Sequence, residues 1–277
     1  MVKTRVISGI VVAASMLLFV WLGGVYLLAL LLCVSLIGLF EFYRAVGLLK
    51  DGAKIGPVTG IGYAFTVLYY LFLFLFEDPL FGMMLACVLL VLVLLGTYVF
   101  TFPKYKAGTV VFAFYGFFYV SVMLSFIYLT RRLGEGIYIV WLIFFSSWFC
   151  DVFAYATGML FGKHKLAPVL SPKKSVEGAV GGIAVPAVCG GIYGWLIGPY
   201  IDLGHPAAVF FVLCAAGAAV SQIGDLSASA VKRNYDIKDY GTLIPGHGGI
   251  LDRFDSVIFT APMIYFIAVF FIRYISS

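Results

Sequence analysis

Apolar runs of bilayer-spanning length occupy most of this chain. A spanning helix needs about 17–25 predominantly apolar residues. Nine runs qualify: 6–22, 25–43, 56–76, 81–102, 108–129, 136–161, 176–198, 206–231 and 251–274. In lipid each segment must satisfy its own backbone, so runs of this kind fold as helices. Only 11% of the 277 residues are charged and 63% are hydrophobic, too few charges to clothe a soluble core. The sequence therefore predicts an all-α polytopic membrane protein with about nine transmembrane helices. Lys3 and Arg5 ahead of the first run resemble a signal peptide, but no small-residue cleavage site follows and a second span begins at once. A retained first helix is expected.

The basic residues sort by side. Lys3 and Arg5, Arg44, Lys50 and Lys54, Lys104 and Lys106, Lys163, Lys165, Lys173 and Lys174, and Lys232, Arg233, Lys238 and Arg253 all fall on alternate connections. That is fifteen of 18; Arg131, Arg132 and Arg273 fall on the other set. The positive-inside rule then puts the N-terminus in the cytoplasm and the C-terminus outside, in a cell (inner or plasma) membrane, with the polar loops facing the cytoplasm. The five cysteines lie inside apolar runs and form no CxxC pair, so they read as small core residues. No nucleic-acid partner is expected. Residues 1–135 hold little polar content within their spans and read as scaffold; residues 136–277 carry intramembrane acids, many glycines and the two richest loops, and read as the working region.

Carboxylates at membrane depth are costly and mark function by default. In the eighth span Ser221, Asp225, Ser229 and Lys232 fall within an arc of about 80° of a helix. Ser147, Asp151 and Tyr155 form a similar stripe in the sixth, where Asp151, Tyr155 and Ser221 would line a polar cavity. Asp252, Asp255 and Ser256 share a face at the start of the ninth within about 100°. Two carboxylates one turn apart call for a cation, and hard oxygen donors without a His or Cys cluster suit Mg²⁺, with carboxylates enough for a second ion. The 162–175 loop contains Ser171-Pro172-Lys173-Lys174-Ser175. Ser171 followed by Pro172 is expected to cap a helix whose N-terminus, with the lysines and Ser175, binds an anion. Glu177 follows as a dipole partner or a substrate or metal contact. The 232–250 loop contains Pro245-Gly246-His247-Gly248-Gly249, a side-chain-poor turn whose backbone N–H groups could approach a ligand closely. There His247 contacts phosphate or acts as an acid, and Arg253 is a salt-bridge strut or a phosphate clamp. The glycines of the seventh span (Gly178, Gly181, Gly182, Gly190, Gly191, Gly194) have the spacing of close helix packing, and such faces would also serve a homodimer.

Ser229-Ala-Val-Lys232-Arg233, Lys238-Asp239, Gly241, Pro245-x-His247-Gly-Gly and Asp252-Arg253-Phe-Asp255 together resemble the signature of the phosphatidate cytidylyltransferases. Asp151-Val-Phe-Ala-Tyr155, Phe161-Gly-Lys163 and Ser171-Pro-Lys-Lys-Ser175-Val-Glu177-Gly are similar to that family as well. The resemblance covers about residues 140–260. Val176 stands where an aromatic is expected and Ala228 where a Glu is expected, so Ala228 is given no role. The resemblance implies a membrane enzyme that joins CTP and phosphatidate into CDP-diacylglycerol and pyrophosphate, using Mg²⁺. Asp225, Asp252 and Asp255 would hold the metal. Lys232, Arg233 and Lys238 would bind CTP phosphates, and Asp239 and His247 would assist. Ser171, Lys173, Lys174, Ser175, Glu177, Ser229, Gly248, Gly249 and Arg253 would contact substrate. Two rival readings share these residues: a cytidylyltransferase acting on another lipid phosphate, polyprenyl or ether-linked, and a secondary transporter.

Overall fold

Proline and glycine set the helix boundaries. Pro57, Pro79 and Pro206 each occupy the first position of a helix, where the missing N–H costs nothing. Asp78 caps the helix at Pro79 by accepting from the Leu80 and Phe81 amides at 2.9 and 3.2 Å. Gly23, at φ 65°, separates the first two helices. The computed structural model describes residues 2–49, 54–244, 246 and 248–274. Among them run nine long helices: α1 (Val2–Leu22), α2 (Gly24–Ala45), α3 (Pro57–Leu75), α4 (Pro79–Phe100), α5 (Ala107–Arg131), α6 (Gly136–Phe161), α7 (Val176–Ile197), α8 (Pro206–Asn234) and α9 (Leu251–Tyr274). All but α1 are long and apolar enough to cross a membrane; the described apolar stretch of α1 is the shorter Gly9–Leu22. The nine expected spans correspond to these nine helices.

One expectation fails. Ser171 does not cap a helix. Ser171–Ser175 is instead a strand, β2, antiparallel to β1 (Lys165–Ala167) in a two-stranded hairpin. Proline is tolerated in such an edge strand. The cap lies four residues later: Ser175, extended at φ −116°, accepts from the Gly178 amide at 3.1 Å and starts α7.

The chain forms two compact units, Met1–Ser125 with Tyr235–Arg253, and Phe126–Asn234 with Phe254–Ser277. In the first, apolar packing is joined by hydroxyls that find partners, as buried polar groups must. Ser35 bonds Tyr70 at 2.8 Å, Tyr69 bonds Ser125 at 2.6 Å, and the Tyr43 hydroxyl donates to the Ala113 carbonyl at 2.8 Å. A π-helical stretch, Phe117–Val122, interrupts α5 beside these groups.

In the second unit, glycines bring helices close. A Cβ at Gly178 would lie 2.6 Å from the Ala154 carbonyl oxygen, and at Gly182 2.8 Å from the Ala154 methyl, both on α6. Further along α7, Gly190 and Gly194 face α8: their Cβ atoms would come within 2.8 Å of Phe210 and Pro206 backbone atoms. The small-residue face is thus occupied within the chain, and the argument from it for a homodimer falls away. Gly182→Leu is expected to cost at least about 1–3 kcal/mol through overpacking, read as a lower thermal midpoint in detergent. Gly96→Ala, where a Cβ meets nothing within 4 Å, should leave that midpoint unchanged or raise it.

Candidate active site

Helix α8 carries the polar stripe of the second unit. Gly224 allows α9 to approach, since a Cβ there would sit 2.9 Å from the Asp255 carbonyl oxygen. Next to it, Asp225 forms an ion pair with Lys174 of β2. Two turns on, Lys232 places its Nζ 3.9 Å from Oδ2 of Asp255 on α9. The side chains of Lys232 and Asp255 are only 12% and 11% exposed, so solvent ions screen the pair little. Asp255 Oδ1 accepts from the Ser256 amide at 2.8 Å. Asp225 and Asp151 both act electrostatically on Asp255. The second unit thus gathers Asp151, Lys174, Asp225, Lys232 and Asp255 as alternating charges on α6, β2, α8 and α9. Ser221 is buried one turn before Asp225, Ser229 is half-buried one turn after it, and Tyr155 is exposed on α6.

The β1–β2 hairpin is tied down by Glu177 in the first turn of α7. Its carboxylate accepts from the Lys163 amide at 3.0 Å and the His164 amide at 3.2 Å, and meets His164 Nδ1 at 2.6 Å. Glu177 therefore anchors the loop that presents Lys173, which is exposed, and Lys174, which reaches Asp225.

The loop 235–250 belongs to the first unit. Arg233 just before it, and Lys238 and Asp239 within it, are exposed. Gly246 and Gly248 adopt φ of 78° and 85°, the left-handed region that suits glycine, and the Ile244 amide donates to the Gly248 carbonyl at 2.9 Å. Pro245 and His247 lie outside the described residues. Of the amides expected to cradle a ligand, that of Gly249 is engaged within the chain. The Gly249 amide donates to Asp252 Oδ2 at 2.9 Å, and the Tyr240 amide donates to the same oxygen at 2.8 Å. Asp252, reaching back three residues, closes the start of α9 in the manner of a capping box. Arg253 is exposed.

Two residues with a part here were not singled out as site candidates in the sequence. Glu41 on α2 is buried and accepts from the Ile250 and Leu251 amides at 3.0 and 2.8 Å. Arg44 donates to the Tyr240 carbonyl at 2.7 Å. The signal was available: Glu41 is the sole acid in the first 50 residues and sits inside an apolar helix.

Among the described residues no group of three or more His, Cys, Asp or Glu is placed to hold a metal ion by itself. Magnesium does not require one, since it is commonly held by one or two carboxylates together with substrate phosphates. Asp225 and Asp255 supply that donor set, so the residues fit magnesium in this mode and not as an all-protein cage.

These features define a polytopic α-helical membrane protein with a paired-charge centre between apolar helices. Residues 3–271 match the cytidylyltransferase family, and the chain belongs to it. It is similar to the phosphatidate cytidylyltransferase of Bacillus subtilis, 31% identical over 275 residues, 97% of this chain and 98% of the relative. The phosphatidate cytidylyltransferase of Staphylococcus saprophyticus is 39% identical over 146 residues, and that of Staphylococcus aureus strain COL 38% over the same length. The similarity to each staphylococcal protein covers 53% of this chain and 54% of the relative, about half its length.

Because Glu177 holds the hairpin by several bonds at once, Glu177→Ala should free it locally. Trypsin is expected to cut after Lys163 and Lys165 several-fold faster in the variant, with the helices as resistant as before, read by mass spectrometry of the fragments.

Proposed function

We propose that this chain transfers the cytidylyl group of CTP to phosphatidate, giving CDP-diacylglycerol and pyrophosphate. The similarity to the Bacillus subtilis enzyme over 97% of the chain carries this reading. The chemistry of the charge cluster agrees with it. A lipid substrate calls for a membrane-embedded site, and a soluble polyanion calls for basic side chains at its mouth. The orientation that suits both is the one expected from the basic loops, with the N-terminus and the site toward the cytoplasm of a cell membrane and the C-terminus outside.

In this mechanism a phosphate oxygen of phosphatidate attacks the α-phosphorus of CTP in line. The new P–O bond forms as the bond to the β-phosphate oxygen breaks, and pyrophosphate leaves with its electron pair. The nucleophile is already anionic, so no strong general base is needed. Catalysis is mainly positioning and charge neutralisation. Lys232, Arg233 and Lys238 bind the CTP phosphates. Ser171, Lys173, Lys174 and Ser175 bind a substrate phosphate; Lys174 and Lys232 can shift their pairing from Asp225 and Asp255 toward that incoming charge. Asp225 and Asp255 are the residues that would hold magnesium, which when bound neutralises charge developing on the leaving pyrophosphate. Asp252, which also holds the turn at the start of α9, is a third candidate to hold magnesium, and Asp239 and His247 stand in the same loop as assisting groups.

The test is turnover of the detergent-purified protein with CTP, phosphatidate and Mg²⁺, following both products. Matched CDP-diacylglycerol and pyrophosphate, lost on chelation, are expected. Asp225→Asn should lower kcat by about 10²-fold or more, the scale seen when one preorganised charge-stabilising group is removed. Near-normal turnover in a folded Asp225→Asn protein would end the metal assignment. Product with polyprenyl phosphate but not with phosphatidate would overturn the acceptor.

A further inference from the structure

Helix α9 satisfies its start only in part from its own sequence, where Asp252 takes the Gly249 amide. The first amides of a helix have no partner within it, and the residues before Leu251 are Gly248-Gly249-Ile250, with no side-chain acceptor among them. Glu41 supplies the missing cap from a helix about two hundred residues earlier. Its Oε1 accepts from the Ile250 amide at 3.0 Å and its Oε2 from the Leu251 amide at 2.8 Å. A negative charge at this end also meets the positive pole of the helix. One turn along α2, Arg44 holds the Tyr240 carbonyl at 2.7 Å, while Asp252 holds the Tyr240 amide. Neighbouring residues of α2 therefore grip both ends of the segment 240–251. The glycines follow from the same contact: a Cβ at Gly241 or at Gly249 would run into the Glu41 carboxylate.

We propose that Glu41 is a positioning residue for cytidylyl transfer, fixing the start of α9 and the glycine turn before it without touching substrate or metal. The proposal rests on the reading that residues 232–255 carry reacting groups, since Asp255 stands one turn beyond Asp252 on the same helix. Both carboxylate oxygens are engaged by backbone amides and the side chain is 3% exposed, which leaves Glu41 unsuited to act as a base or a ligand.

The experiment compares Glu41→Gln, Glu41→Ala, Gly249→Ala and the double variant Glu41→Ala/Gly249→Ala with the full-length parent in detergent. Asp255→Asn serves as a control for the site itself. kcat, the KM for CTP and the Mg²⁺ dependence are measured on monodisperse protein, per folded molecule. Glu41→Ala is expected to lose about 100-fold in kcat, the scale of a small misplacement remote from the chemistry, with the KM for CTP and the Mg²⁺ dependence little changed. Glu41→Gln keeps one acceptor and should fall between Ala and the parent. Gly249→Ala should impair the parent strongly and add little to Glu41→Ala. Parental kcat in folded Glu41→Ala would overturn the proposal. So would a Gln variant as inactive as Ala with a raised Mg²⁺ requirement, which would make Glu41 a ligand. Should Glu41→Ala fail to fold, the Gln variant decides alone, and parental kcat in it overturns the proposal. An active Asp255→Asn would instead remove the reading on which the proposal stands.

Discussion

A carboxylate withdrawn into an apolar bundle must be compensated by an opposite charge or by hydrogen bonds, because its desolvation is otherwise prohibitive. This chain meets that requirement in different ways at its three best-defined acids. Asp225 is neutralised by Lys174, and Asp255 by Lys232 together with the Ser256 amide. Glu41 has its two oxygens filled by backbone amides. The kind of compensation separates the tasks. A lysine can turn toward another anion when one arrives, so a lysine-paired carboxylate is poised to exchange partners. A backbone amide at a helix start cannot move without moving the helix, so an amide-paired carboxylate is a fixture.

The same distinction orders the hairpin and the loop. Glu177 is an anchor: its oxygens take the Lys163 and His164 amides, and what it anchors is the strand bearing Lys174. Asp252 is likewise an anchor, taking the Tyr240 and Gly249 amides. On the proposed function, polyanion recognition then falls to the long basic side chains, whose flexible stems can carry them toward a phosphate.

Much of this was legible in the sequence. The spans were set by runs of apolar residues that can fold in lipid only as helices, and the expected starts at 56, 81 and 206 lie within two residues of Pro57, Pro79 and Pro206, where those helices begin. The stripe from Ser221 to Lys232 follows from helical periodicity alone, and along it Asp225 and Lys232 each meet an opposite charge from another element. What periodicity could not give was partnership across long separations. Nothing local to Leu251 names Glu41 as its cap, and nothing local to Asp225 names Lys174. The Ser171-Pro172 misreading has a related cause. A Ser-Pro pair looks like a helix start, but pairing with Lys165–Ala167, a non-local contact, kept the segment extended until Ser175.

The glycine-rich turn shows how a motif can carry two meanings. Read alone, Gly246, Gly248 and Gly249 promise bare backbone for a phosphate to approach. In the fold, Gly246 and Gly248 take the left-handed conformation of the turn, and a Cβ on Gly248 would stand 2.8 Å from Asp252 Oδ2. Gly241 and Gly249 clear space for the Glu41 carboxylate, and the Gly249 amide is spent on Asp252. These glycines thus admit the chain's own carboxylates before they admit any ligand. On the proposed function, a polyanion at this loop would be held chiefly by side chains such as Lys238. On that reading, phosphate binding there would be electrostatic and salt-sensitive, and the precision that in-line transfer needs would come from the acids that hold the backbone still.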